Sequence, residues 1–110
     1  MSDRIFEMHA EICKVFTSPK RLEIINALRD GEKSAGELAN ILSISQPNVS
    51  QHLSILREKG VVQIRKQSQS VYYKIANRKI TKACDLMREV LLEKLQSSQE
   101  LAKTFVDINI

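Results

Sequence analysis

The chain has 110 residues, 43% hydrophobic and 27% charged, with a formal net charge of +4 and an isoelectric point near 9.2. That composition excludes a disordered or low-complexity polymer and suits one small domain, or one domain with an appended helix. The basic bias is modest; it doubles if the chain dimerises, which favours a polyanionic partner without proving one.

The first sixteen residues, MSDRIFEMHAEICKVF, carry charges every few positions. They read as neither a signal peptide nor a membrane span, and no other stretch has transmembrane length. With two cysteines far apart, Cys13 and Cys84, a reduced cytoplasmic chain is expected. Residues 3–16 place Ile5, His9, Ile12 and Phe16 at helical spacing, and Ser2 is placed to cap that helix. A second helix is predicted from Ser18 as N-cap and Pro19 in the first turn, through Leu22, Ile25 and Leu28, to Gly31. SAGELANIL, 34–42, opens with Ser34 and Glu37 at capping-box spacing and predicts a short third helix. After a three-residue break, Ser43-Ile44-Ser45, the stretch SQPNVSQHLSILREKG, 45–60, sets Val49, Leu53 and Leu56 on one face and closes at Gly60.

Beyond Gly60 the period changes from 3.6 to 2. VVQIRK and SVYYKI alternate on either side of a polar QSQ, which predicts a β-hairpin. Asn77 then caps a long helical pattern through Ile80, Cys84, Met87 and Leu91, with Ala83, Val90 and Leu95 beside it. The predicted order is α-α-α-α-β-β-α: a mainly helical domain over 1–96, then a C-terminal extension, 97–110, either helical or a loose tail.

The fourth helix is unusual on its polar side. Two helices joined by a three-residue turn describe a helix-turn-helix, whose second helix presents its N-terminal outer side to the DNA major groove. Here that side carries Asn48, Ser50 and Gln51, with Gln46 and Ser54 nearby and Ser45 at the start of the helix. Asn and Gln donate and accept at once and can read adenine bidentately, and Ser is short enough to reach a phosphate. The plain alternative is a solvated helix that happens to be rich in Ser and Gln. From Lys59 to Cys84 the chain holds seven cations (Lys59, Arg65, Lys66, Lys74, Arg78, Lys79, Lys82) and no Asp or Glu. A ribbon tipped by Arg65, Lys66, Gln67, Ser68 and Gln69 therefore reads as a wing on the phosphate backbone or in the minor groove. A charge run is more often a solvated face, but this one follows the polar helix directly.

The segments SPKRLEII (18–25), SAGELA (34–39), SQPNVSQHLSIL (45–56) and VYYKI (71–75) are similar to the ArsR/SmtB family of winged helix-turn-helix repressors, over roughly residues 5–95. The resemblance implies a homodimer built on the first and last helices. Such a dimer binds an imperfect palindrome in double-stranded operator DNA and releases it when an inducer binds. It also implies DNA contacts from the helix near Ser45 and from the wing, and phosphate contact by Lys20 and Arg21, although Arg21 can equally pair with Glu23 or another carboxylate. His52 is open to two roles, a phosphate contact or packing against the preceding helix. One departure is Ser68 at the wing tip, where the family often has Gly.

The family's metal sites do not carry over. Its Cys-x-Cys positions fall on Ala39 and Ile41, and its last-helix ligands on Asn77, Lys79, Val90 and Glu93, of which only Glu93 can ligate. Neither a metal nor a cofactor is expected. Cys13, with His9 one turn away, and Cys84 remain as a candidate thiol-redox, reactive-sulfur or metalloid sensor, against the plainer reading of two small hydrophobes and a core histidine. Nothing supports an enzyme: there is no phosphate-binding glycine loop and no nucleophile with a motif around it. A winged helix serving protein or RNA contact is the rival class, and an amphipathic membrane role for the last helix is weaker. The operator, the regulated genes and the inducer are not written in the sequence.

Overall fold

The computed structural model describes residues 2–98; the expectation for 99–110, helix or loose tail, lies outside the described residues. Seven elements follow in the predicted order: α1 (Ser2–Cys13), α2 (Pro19–Ala27), α3 (Ala35–Leu42), α4 (Gln46–Glu58), β1 (Val62–Gln67), β2 (Ser70–Ile75) and α5 (Arg78–Gln96). Local chemistry sets most boundaries. The Ser18 hydroxyl accepts from Arg21 N at 3.3 Å, Ser45 from Asn48 N at 3.3 Å, and the Asn77 side chain from Lys79 N at 2.9 Å. Ser34 and Glu37 close the expected capping box, at 3.1 and 2.9 Å.

α4 ends in a Schellman motif. Val61 N reaches Leu56 O at 2.8 Å and Gly60 N reaches Arg57 O at 3.0 Å, with Gly60 at φ +78°, a left-handed conformation that glycine adopts without a Cβ penalty. Four boundaries differ from the sequence expectations. The first helix does not run to Phe16 but tightens at Lys14–Thr17 into a 3-10 turn. Its first helical residue is Ser2 itself, so Ser2 does not stand before the helix as a cap. α2 stops at Ala27 with Leu28 as its cap, short of Gly31. The hairpin turn is two residues, Ser68-Gln69, because Gln67 still pairs with Ser70.

The core gathers Val15, Ile24, Ile25, Leu28, Leu38, Leu42, Val49, Leu53, Leu56, Val61 and Val62 around α2, α3 and α4. Val49, Leu53 and Leu56 are essentially inaccessible, so the apolar stripe of α4 faces inward and its polar side is left out. α5 buries no residue fully, although Ile80 and Cys84 pack on the core edge. It is tied to the loop after α2 by Arg29, which donates to both Asp85 oxygens at 2.6 and 3.2 Å. That pair holds the Asp85 carboxyl below its usual range. No helix among the described residues is long and apolar enough to cross a membrane.

Candidate nucleic-acid interface

α3 and α4 form the helix-turn-helix, and the turn between them is tight. Ser43 sits in the left-handed region at φ 57°, and Ile44 N bonds back to Ala39 O at 3.2 Å. This turn sends α4 away from α3 with Ser45, Gln46, Asn48 and Gln51 exposed and Ser50 half-buried. The hydroxyl of Ser45 is already engaged as the N-cap. Gln46 lies over α3 at Gly36, where a β-carbon would stand 3.5 Å from its Oε1.

The wing folds back beside this surface. β1 and β2 pair antiparallel from Val62↔Ile75 to Gln67↔Ser70. A one-residue third strand extends the ribbon: Lys33 N donates to Tyr73 O at 3.0 Å and Tyr73 N to Lys33 O at 2.8 Å. A polar cleft of about 570 Å³ runs between the starts of α3 and α4 and the wing, lined by Ser34, Gly36, Gln46, Ser50, Gln69 and Tyr72 among others. The side chains that the sequence separated by some twenty residues, Gln46 and Ser50 against Gln69, thus share one groove.

Not every nominated residue is free. Lys66, Ser68 and Gln69 are exposed, and Lys66 enters no ion pair among the described residues. Arg65 is bound within the protein: its guanidinium pairs with Glu32, donates to Gln67 Oε1 at 2.7 Å, and lies 5.0 Å from the Tyr72 ring centroid. Through that bond Arg65 pulls the Glu32 carboxyl below its ordinary range. Arg21 does not pair with Glu23. It donates to the main-chain carbonyls of Val15 at 2.8 Å and Lys14 at 3.4 Å, pinning the 3-10 turn, while Lys20 takes Glu23 at 3.2 Å. His52 is half-buried, and its Nδ1 is buried without a hydrogen-bond partner among the described residues. Burial and the nearby Arg21 charge lower its pKa. Sequence reasoning missed Glu32 and Lys33, which carried no motif and whose partners lie far along the chain.

A second, apolar cleft of about 850 Å³ lies between α1 and α5. His9 and Cys13 line one wall, Cys84 and Met87 the other, and its floor reaches Gly60 and Val61 at the end of α4. Both cysteines are free, Cys13 exposed and Cys84 half-buried, and burial pushes the Cys84 thiol up. Among the described residues no three His, Cys, Asp or Glu side chains gather as a metal site.

An exposed polar recognition helix beside a basic two-stranded ribbon defines the winged helix-turn-helix class. The comparisons make that specific. The family model described as "Bacterial regulatory protein, arsR family" matches residues 18–63. The chain is 34% identical over 85 residues to the transcriptional activator HlyU of Vibrio cholerae, covering 77% of this chain and 79% of that protein. The crystal structure of the transcriptional repressor BigR from Xylella fastidiosa is 32% identical with a TM-score of 0.71, covering 82% of this chain and 91% of the other. In fold alone, the chain is similar to a homodimeric winged helix-turn-helix DNA-binding domain, Mb0332 from Mycobacterium bovis. That match has a TM-score of 0.80 at 23% identity over 89% of this chain and 91% of that one. The chain belongs to the ArsR family of bacterial regulatory proteins and is a DNA-binding transcriptional regulator of the winged helix-turn-helix type.

Proposed function

We propose that the protein is a cytoplasmic homodimeric repressor that binds a palindromic operator and leaves it when an inducer binds. Its first and last helices form the dimer seam. The observation that carries this reading is the shared groove: Gln46 and Ser50 of α4 line it together with Gln69 of the wing, while Asn48 and Gln51 on α4 and Lys66 on β1 are exposed. In the proposed division of labour, Asn48 and Gln51 read base edges in the major groove. Ser50 and Lys66 meet phosphates, and Ser68 and Gln69 follow the backbone or enter the minor groove. Repression rather than activation rests on the family resemblance, since relatives bear both names.

Sensing through thiols, or of a metalloid, is a second reading supported by one observation. Cys13, Cys84 and His9 line the same cleft, and that cleft reaches the C-terminal end of α4. A conformational change there has a short path to the recognition helix.

The test is fluorescence anisotropy on a duplex recovered by in vitro selection from a randomised pool, against unrelated DNA and across salt concentrations. Operator binding predicts a large preference for the selected duplex in addition to a steep salt dependence. Gln51→Ala is expected to shrink the preference, by about 1–3 kcal/mol for a lost bidentate contact. Lys66→Ala is expected to weaken all DNA alike and lower the salt slope by roughly one. Salt dependence with no preference would instead indicate a non-specific or RNA-binding module. Repeating the titration after mild oxidation, with Cys84→Ser as control, separates the two readings: a loss of affinity that the variant resists supports the thiol sensor.

A further inference from the structure

Arg65 has five N–H donors and no acceptor, so every polar atom facing it must accept a hydrogen bond. The Glu32 carboxylate takes the Arg65 Nε, 3.0 Å from each oxygen, and the second terminal nitrogen as well. The first terminal nitrogen donates to Gln67 Oε1 at 2.7 Å. Tyr72, directly opposite Arg65 in the strand register, lies under the guanidinium at 5.0 Å. Arg65 and Gln67, two apart on β1, share a face of the ribbon. Glu32 is held in place by the main chain, because its neighbour Lys33 exchanges two backbone hydrogen bonds with Tyr73.

The consequence falls on Gln67. A side-chain amide has one accepting oxygen and one nitrogen with two donors. A donor-only guanidinium fixes which of them faces inward, so Oε1 is turned to Arg65 and Nε2 points away from it. Gln67 is exposed and is the last residue of β1 before the turn. It therefore stands at the wing tip as an oriented hydrogen-bond donor. In the minor groove an A·T pair presents only acceptors, adenine N3 and thymine O2, whereas a G·C pair adds the guanine amino donor.

We propose that Glu32, Arg65 and Gln67 form a relay that holds the Gln67 amide as a donor reading the acceptor-only minor-groove edge of an A·T pair. This rests on the reading of the ribbon as a DNA-contacting wing. Within it, Arg65 is a positioning residue whose charge is matched by Glu32, and it is not a phosphate contact.

The test uses the full chain and the selected duplex, with the base pairs beneath the wing changed one at a time from A·T to G·C or to inosine·C. Inosine·C has the major-groove edge of G·C but lacks the minor-groove amino group. Wild-type protein is expected to bind A·T and inosine·C alike at one wing position and G·C about 3- to 10-fold more weakly, the scale of one hydrogen bond. Gln67→Ala, at an exposed site where folding is not at stake, is expected to erase that difference. Arg65→Lys keeps the charge but not the planar fork; it is expected to erase the difference too while leaving the salt slope unchanged. Discrimination that survives both substitutions overturns the relay, as does inosine·C behaving like G·C. A salt slope that falls by about one in Arg65→Ala assigns Arg65 to a phosphate and overturns it as well. If no duplex is selected at all, the operator reading fails; if one is selected but is indifferent beneath the wing, only the relay fails.

Discussion

His52 is a titratable group placed inside the reading head. It sits on α4 with its Nδ1 buried and unpartnered, and the Arg21 guanidinium, itself fixed on the carbonyls of Val15 and Lys14, is near enough to oppose a second positive charge. Both effects favour neutral imidazole in the folded state, so the folded pKa lies below the ordinary 6.5. A depressed histidine contributes stability above the unfolded pKa, and that contribution is lost as pH falls through the window below about 6.5. The strengthened carboxylates Glu11, Glu32 and Asp85 titrate below the ordinary carboxylate range, so between pH 6.5 and about 5 the histidine acts without them. Urea midpoints measured at pH 7.5 and 5.5 are expected to fall more in wild type than in His52→Gln. Equal falls would show that the imidazole is not the titrating group.

The wing is the element where sequence and structure are most instructively unequal. Alternation in VVQIRK and SVYYKI makes both strands legible, and the caps at Ser18, Ser34 and Asn77 make three helix starts legible, because each signal lies within a few residues of the feature it sets. The attachment of the wing was not legible. The Lys33–Tyr73 bridge and the Arg65–Glu32 pair join positions with no shared local pattern, and Arg65 therefore read as a free cation in a basic run. On α4 the exposed Gln46, Asn48 and Gln51 follow directly from the inward stripe of Val49, Leu53 and Leu56. Ser68 completes the element. It is the only non-glycine turn residue of the hairpin with positive φ, 56°, a conformation that costs an L-residue about 1–2 kcal/mol and glycine little. Ser68→Gly is expected to raise thermal stability by up to about 1 kcal/mol, since glycine's extra freedom in the unfolded chain offsets part of the gain. A lower melting temperature would mean that the Ser68 side chain makes a contact worth more than the relieved backbone.

For the whole molecule, the apolar surface is unevenly distributed. Phe6 on α1 is 67% exposed and Met87 on α5 is 70% exposed, and Ile5, Met8, Leu86, Val90 and Leu91 are open beside them. Large apolar side chains gathered on two helices mark an association surface, and small domains commonly complete their burial in this way. Pairing through α1 and α5 would double the net charge on the DNA-facing assembly and repeat α4 about a two-fold axis, matching a palindrome. The most direct test is sedimentation velocity of the wild type and Val90→Glu at micromolar concentration, each alone and on the selected palindromic duplex. Val90 is exposed in the single chain, so a charge there spares the protomer core. The expected result is a wild-type dimer that places two chains on each duplex, with a folded Val90→Glu monomer that binds the palindrome no better than a half-site. A wild-type protein that stays monomeric both free and on DNA would contradict the account.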